Sequence, residues 1–198
     1  MFVSSEGTTG VVYSKGLPGD DQLRLCGDVS DGKRALELGV SDQYNAVALA
    51  IAGAKSLAVD PDAARIAKLR DHAVAADVRI ECHIGELADL GFATSGSLEV
   101  VLANGTLEMV DDLGRLLRQV HRVFKPSRSF VICMRHPFAD VFQGEVATPY
   151  GSTSRTVEEW FTALGRANFR VDVMHELGVT LRSPVPTTLI VRARTEGS

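Results

Sequence analysis

The chain has 198 residues, 45% of them hydrophobic, and a formal net charge of −4. This length and apolar content suffice for one substantial core, so we expect a single domain over residues 1–198. The acidic balance excludes a chain-wide positive field for nucleic acid, and no apolar run approaches the roughly 20 residues that span a bilayer. Residues 1–10 also lack a signal-peptide pattern, so we expect a cytoplasmic protein without nucleic-acid or membrane partners.

The cysteines argue against a disulfide framework. Cys26, Cys82 and Cys133 are odd in number, lie far apart and form no C-x-x-C pair. The sequence therefore predicts reduced thiols in the core and neither a disulfide nor a zinc site. The histidines show no metal-ligand spacing either, so we expect no bound metal.

The first third of the chain reads as a lead-in followed by strand and helix. Residues 1–19 are rich in Gly, Ser and Thr and predict a loose lead-in, for which Tyr13 is a candidate anchor. A short helix over 20–25 follows. Lys33–Gly39 predicts the first strand and a tight turn, and residues 43–52 show an apolar face at helical spacing.

A second strand over 57–60 ends in Asp60, which follows Gly39 by about 20 residues. An acidic side chain at this place in a strand–helix–strand unit accepts hydrogen bonds from both hydroxyls of a ribose. The helix between the strands points its N-terminus at the Gly39 turn, where free N–H groups bind ligand oxygens. The spacing therefore predicts a nucleoside cofactor.

The turn over residues 39–45 has one glycine, whereas cofactor loops of this type carry two or three. Val40 is a poor substitute, because extra glycines let the backbone approach a ligand closely and tolerate positive φ. Ser41 and Asp42 can still form a turn or cap a helix. We therefore expect a divergent glycine loop.

The rest of the chain alternates helix and strand. We predict helices over 61–76, 111–124 and 156–167, and strands over 78–83, 98–103, 130–134, 169–177 and 187–193. The last two strands follow each other without a helix between them. The sequence thus predicts an α/β fold: a Rossmann-like, mostly parallel sheet of seven strands with helices on both faces and a C-terminal antiparallel β-hairpin.

Several segments together resemble the class I S-adenosylmethionine-dependent methyltransferases, of the methyltransferase type 11 kind found in actinobacteria. These segments are Glu37-Leu38-Gly39, Val59-Asp60, Gly85-Glu86, 104–110, 118–126 and 161–172. The combination is specific, although no single segment is. The resemblance implies a transferase that uses S-adenosyl-L-methionine as cofactor and a small molecule as methyl acceptor.

The resemblance also implies roles for individual residues. Glu37 and Gly39 match the turn that approaches the methionine part of the cofactor, and Asp60 matches the acid that binds the ribose hydroxyls. Glu86 lies where relatives place an Asp beside the adenine amino group. Leu87 follows it and offers a main-chain contact to the adenine ring.

Three further residues complete the site that the resemblance implies. Asn104 and Gly105 match the turn that lines the sulfonium end, and Tyr13 matches an aromatic residue that covers the cofactor. His136, at the end of the fifth predicted strand, is the best-placed candidate for a general base. A histidine before a proline is nevertheless more often a structural hydrogen-bonding group.

Three functions remain open at this point. The first, which we favour, is methyl transfer to a small molecule by in-line displacement. The second is a degenerate family member that keeps the fold and serves as a binding or regulatory module without turnover, as the loss of loop glycines suggests. The third is a nicotinamide-dependent oxidoreductase, which shares the glycine-to-acid spacing but requires a G-x-G-x-x-G loop that the chain lacks.

Overall fold

The computed structural model describes residues 9–108, 110–142, 147–181 and 183–196. All strands within these residues belong to one seven-stranded sheet. The strands are β1 (Arg34–Leu38), β2 (Lys55–Asp60), β3 (Ile80–Ile84), β4 (Leu98–Asn104), β5 (Phe124–Arg135), β6 (Phe169–Leu177) and β7 (Thr188–Thr195). Their order is β3-β2-β1-β4-β5-β7-β6, in which β1 to β5 are parallel and β7 is antiparallel to both of its neighbours. The predicted mostly parallel, Rossmann-like sheet with a C-terminal hairpin is confirmed.

Helices cover both faces of this sheet. They are α1 (Asp20–Leu23), α2 (Asn45–Ile51), α3 (Ala63–Ala75), α4 (Leu113–Val123) and α5 (Val157–Arg166), with a 3₁₀ helix at Pro137–Phe142. The first face packs against α2 and α3, and the second against α4 and α5. Since strand side chains alternate between faces, each strand supplies residues to both cores.

This alternation places three polar residues on the first face. Leu36 and Leu38 of β1 point toward α4 and α5, so Glu37 points toward α2. Ala58 of β2 and Leu102 of β4 face the α2 side, so Asp60 and Asn104, two residues further along each strand, lie on that side as well.

The helix starts follow local capping. The Asp62 side chain accepts a hydrogen bond from the Ala64 N–H at 2.7 Å, so α3 begins after Asp62, and Pro61 lies before the cap rather than in the predicted first turn. Thr156 and Glu159 form a reciprocal capping box at the start of α5, so this helix begins after Thr156 rather than at it.

The predicted start of the fifth strand was wrong. The fifth strand begins at Phe124, directly after α4, instead of at residue 130, because the buried Phe124 pairs with Leu98 of β4. In the described part of the lead-in, Thr9, Val11 and Tyr13 are buried. Residues 1–8 lie outside the described part of the chain.

The thiols are unpaired, and two of the three belong to the core. Cys26 and Cys133 are buried, whereas Cys82 is half-buried on the edge strand β3. Burial raises the pKa of Cys133 to about 12, so this thiol is unreactive at neutral pH. Within the described residues, no helix combines the length and the apolar character needed to cross a membrane.

Candidate functional site

The predicted cofactor residues gather at the carboxyl ends of the parallel strands. Glu37 is near the end of β1, Asp60 ends β2, Glu86 follows β3 and Asn104 ends β4. The strand order reverses between β1 and β4, and ligands of open α/β sheets bind at such a switch point. The fold therefore brings these residues to the rim that can bind a ligand.

Glu37 holds the start of α2. Its carboxylate is fully buried and accepts hydrogen bonds from the Ser41 N–H at 3.1 Å, the Ser41 hydroxyl at 2.8 Å, the Asn45 N–H at 3.2 Å and the Ala46 N–H at 2.7 Å. Burial raises the pKa of Glu37, and these donors oppose that shift. The side chain thus fixes the loop and the helix rather than facing open space.

The loop after β1 is folded down onto the strand ends. Gly39 has a positive φ of 79° and donates its N–H to the Val59 carbonyl at 2.9 Å. The Val40 side chain is 1% exposed and belongs to a small cluster with Ala46, Ala58, Ile66 and Leu69. Arg65 Nη1 donates to the Val40 carbonyl at 3.1 Å. Side chain and carbonyl of Val40 are therefore both fixed.

Asp60 is engaged by the same loop. Its Oδ2 accepts from the Val40 N–H at 2.7 Å and its Oδ1 from the Asp62 N–H at 2.8 Å, and the residue is 4% exposed. A carboxylate has about four acceptor positions, so each oxygen retains one. The ribose role predicted for Asp60 thus requires the groups around the carboxylate to move aside.

An open cleft of about 440 Å³ lies beside this closed loop. It is lined by Pro61, Glu86, Leu87, Ala88, Thr106, Val110, Asp111, Asp112 and Arg115. The exposed Glu86 carboxylate lies 3.7 Å from Arg115 Nη1, a solvent-exposed pair that contributes little stability. Of the predicted cofactor residues, this cleft brings together Glu86 and Leu87.

Asn104 and Gly105 bracket the end of β4. The Asn104 amide donates to the Val12 carbonyl at 3.1 Å, and Asn45 makes two further hydrogen bonds to the Val12 main chain, at 2.9 and 3.0 Å. Gly105 is exposed, has a φ of 68° and donates its N–H to the Cys133 carbonyl at 2.8 Å. Asn104 thereby ties the lead-in to the rim.

Tyr13, for which the resemblance implies a position over the cofactor, is buried beside Asp20. Its ring is 3% exposed, and its hydroxyl donates to Asp20 Oδ1 at 2.6 Å. Burial raises the pKa of Tyr13 far above its ordinary value. The buried Asp20 carboxylate also accepts from Thr9, Leu25 and Cys26, so the Tyr13 ring is drawn into the core.

His136 has both ring nitrogens engaged, which does not fit a general base. Nδ1 accepts from the Phe138 N–H at 3.1 Å, so this hydrogen-bond pattern assigns the ring proton to Nε2, which lies 2.9 Å from Glu176 Oε1. The side chain is 4% exposed and links the end of β5 to β6. These contacts are those of a structural hydrogen-bonding group.

Sequence reasoning missed Arg155. Its guanidinium donates to the Glu108 carbonyl at 3.1 Å and to the Val110 carbonyl, and it lies 5.8 Å from the centre of the Trp160 ring. It also borders a cavity of about 150 Å³ at the end of β5, with Met134 and Pro137. No local pattern marks Arg155, because its partners lie about 45 residues away in the chain.

The described residues contain no group of three or more His, Cys, Asp or Glu side chains that could hold a metal ion.

Comparisons with known proteins agree on one fold. The family model described as "Methyltransferase domain" matches residues 36–132, and curated proteins give no match. An S-adenosylmethionine-dependent methyltransferase from Mesorhizobium loti superposes with a TM-score of 0.70 at 22% identity, over 84% of this chain and 92% of that one. A counterpart from Aquifex aeolicus gives 0.66 at 15% identity, over 85% of each chain.

A third structure extends the likeness over nearly the whole chain. Geranyl diphosphate C-methyltransferase from Streptomyces coelicolor A3(2), in complex with Mg²⁺, geranyl-S-thiolodiphosphate and S-adenosyl-L-homocysteine, gives a TM-score of 0.70 at 11% identity. The match covers 98% of this chain and 88% of that one. At these identities the likeness establishes the fold alone.

Proposed function

We propose that this chain transfers a methyl group from S-adenosylmethionine to a small molecule. Residues 36–132 match the family model of a methyltransferase domain, and the fold is that of the class I S-adenosylmethionine-dependent methyltransferases. The observation that carries the proposal is the open cleft beside Glu86 and Leu87, at the carboxyl ends of the parallel strands. Bound S-adenosylmethionine supplies an electrophilic methyl group on a sulfonium centre.

The cleft fits the adenosine end of the cofactor. Leu87, Ala88 and Pro61 give it apolar walls, and the exposed Glu86 carboxylate is an acceptor for an amino group. Asp60 directly precedes Pro61 of the cleft, and each of its carboxylate oxygens can accept from a ribose hydroxyl once the groups around it move aside. The Asn104–Gly105 turn is the proposed neighbour of the sulfonium end.

The acceptor side is proposed at the end of β5. The cavity of about 150 Å³ there has Met134, Pro137 and Trp160 in its lining. Glu108, Arg135, Asp140 and Arg155 also line this cavity, so its size and its charged groups suit a small polar acceptor or one polar part of a larger acceptor. Because both ring nitrogens of His136 are engaged, we assign no general base.

Calorimetric titration with S-adenosylhomocysteine and with NAD tests the cofactor. We expect S-adenosylhomocysteine to bind and to raise the melting temperature, because a ligand of the folded state stabilises it by linkage. Asp60→Ala should abolish that binding, whereas Asp71→Ala, which removes an exposed carboxylate from α3, should not. Binding of NAD in place of S-adenosylhomocysteine would overturn the proposal.

One observation favours a binding module without turnover as a second candidate. Val40 and Asp60 are nearly inaccessible, so the loop is closed where a cofactor must enter. Mass-tagged methyl transfer from S-adenosylmethionine to pooled small molecules separates the two functions. Labelled product supports the transferase, whereas cofactor binding without any product across the pool supports the binding module.

A further inference from the structure

We infer that this chain, if it binds the proposed cofactor, recognises the adenosine half and gives the amino-acid tail no anchor at the loop after β1. The inference rests on the proposed function and concerns one feature of it, the division of binding energy between the two halves of the ligand. It follows from how the main-chain donors of residues 39–46 are used.

The donors nearest the end of β1 are all engaged. The N–H groups of Gly39, Val40 and Ser41 donate to the Val59 carbonyl, to Asp60 Oδ2 and to Glu37 Oε1, at 2.9, 2.7 and 3.1 Å. An N–H group carries one proton and therefore donates one full hydrogen bond, to a single acceptor. The tail carboxylate would therefore have to displace an existing partner to bind the N–H groups of residues 39–41.

The N-terminus of α2 is engaged in the same way. The N–H groups of Asn45 and Ala46 donate to the two oxygens of Glu37 at 3.2 and 2.7 Å. An internal carboxylate thus occupies the position at which a helix N-terminus would otherwise receive an anion. Because Glu37 is fully buried, releasing it would leave a desolvated acid without its donors.

Charge also disfavours a carboxylate here. Glu37 and Asp60 lie beneath the loop and Asp42 is exposed on it, so acidic groups flank the segment. Arg65 is the cation in contact with the loop, and it donates to the Val40 carbonyl, which reinforces the closed conformation. The local field therefore opposes the carboxylate of the tail. The ammonium group of the tail can pair with the exposed Asp42, but a solvent-exposed ion pair contributes little affinity.

The adenosine side is different, because an open cleft already exists there. Pro61, Leu87 and Ala88 present apolar surface and Glu86 an exposed acceptor for the purine, and the ribose contact with Asp60 is the part of nucleoside binding that requires the loop to move. Binding energy should therefore come from the purine nucleoside, and removal of the tail should cost little affinity.

Calorimetry with two ligands that differ only in the tail tests this inference on the full chain. We expect S-adenosylhomocysteine and 5′-methylthioadenosine to bind with dissociation constants within about threefold of each other. An advantage of more than about tenfold for S-adenosylhomocysteine would overturn the inference and leave the proposed function intact. Failure of both ligands to bind would overturn both.

Variants at Val40 test whether the closed loop is the reason for the small affinity difference between the two ligands. Val40→Gly removes the buried side chain that holds the loop and permits other backbone conformations, so the preference for S-adenosylhomocysteine should rise to about tenfold or more. Val40→Ala retains the backbone restriction and should keep the wild-type ratio. A Val40→Gly ratio that stays at the wild-type value would show that the closed loop is not the reason, and would overturn the assignment.

Discussion

Thr106 closes over Gly39. A Cβ atom built on Gly39 would lie 2.4 Å from the Thr106 Cβ, well inside van der Waals contact, and the Thr106 hydroxyl donates to the Leu38 carbonyl at 2.5 Å. This contact joins the turn after β4 to the turn after β1. Glycine is thus required at position 39 for two independent reasons, its φ of 79° and the space that Thr106 takes.

Gly39→Ala should lower the unfolding free energy more than Gly105→Ala. Gly105 also has a positive φ, of 68°, but its built Cβ meets no atom within 4 Å. We expect Gly105→Ala to cost about 1 kcal/mol for backbone strain, and Gly39→Ala about 2–4 kcal/mol because overpacking adds to the strain. Urea denaturation measures both values. Equal losses would contradict the contact with Thr106.

Arg155 should influence the fluorescence of Trp160, the single tryptophan of the chain. Arg155→Met removes the guanidinium beside the ring and two hydrogen bonds to the loop after β4, so the unfolding free energy should fall by about 1–2 kcal/mol and the emission should change. Arg166→Met, at the exposed end of the helix α5 that contains Trp160, is the control. Emission that changes in the control but not in Arg155→Met would contradict this arrangement.

Asp172 should contribute a pH-dependent stabilisation. Burial raises its pKa, but hydrogen bonds from Arg192 and Arg194 outweigh that effect and hold the pKa below its ordinary value. The stabilisation is therefore present above the unfolded pKa of about 3.9 and is lost as the pH falls through the lower folded pKa. The difference in unfolding free energy between wild type and Asp172→Asn should narrow below about pH 4.

Denaturation at a series of pH values checks this expectation. Asp71→Asn, at an exposed carboxylate of α3, should differ from wild type by a small amount that changes little over the same range. A constant difference for Asp172→Asn would contradict the role of the two arginines.

His136 should carry its ring proton on Nε2. The Phe138 N–H requires an acceptor at Nδ1, and Glu176 receives the opposite side of the ring. Long-range proton–nitrogen correlation spectra of nitrogen-labelled protein distinguish the two tautomers. A proton found on Nδ1 would refute the hydrogen bond from Phe138, and with it the structural role of this residue.

Much of the fold was predictable because local patterns decide it. The strand that ends at Asp60 and the capped helix that follows Thr156 show in the sequence as an apolar run and a capping box. The start of β5 was missed because Phe124 leaves the helix to pair with Leu98, and that preference arises from packing rather than from local sequence.

The candidate site was predictable in position and not in detail. Strand ends fix where Glu37, Asp60 and Asn104 lie, so their common rim follows from the strand pattern. Their partners do not follow from it, because the Val40 N–H reaches Asp60 across 20 residues and the Asn104 amide reaches Val12 across 92. The burial of Tyr13 beside Asp20 also follows from packing and not from the strand pattern.

The position of β7 between β5 and β6 imposes an order on biosynthesis. β6 pairs only with β7 in the sheet, yet it leaves the ribosome first, and β5 also waits for β7 to cover its open edge. Two unpaired strand edges thus persist until Thr188–Thr195 has been translated, an interval in which nascent chains are prone to associate. The final strand is therefore the one whose arrival ends this vulnerable period.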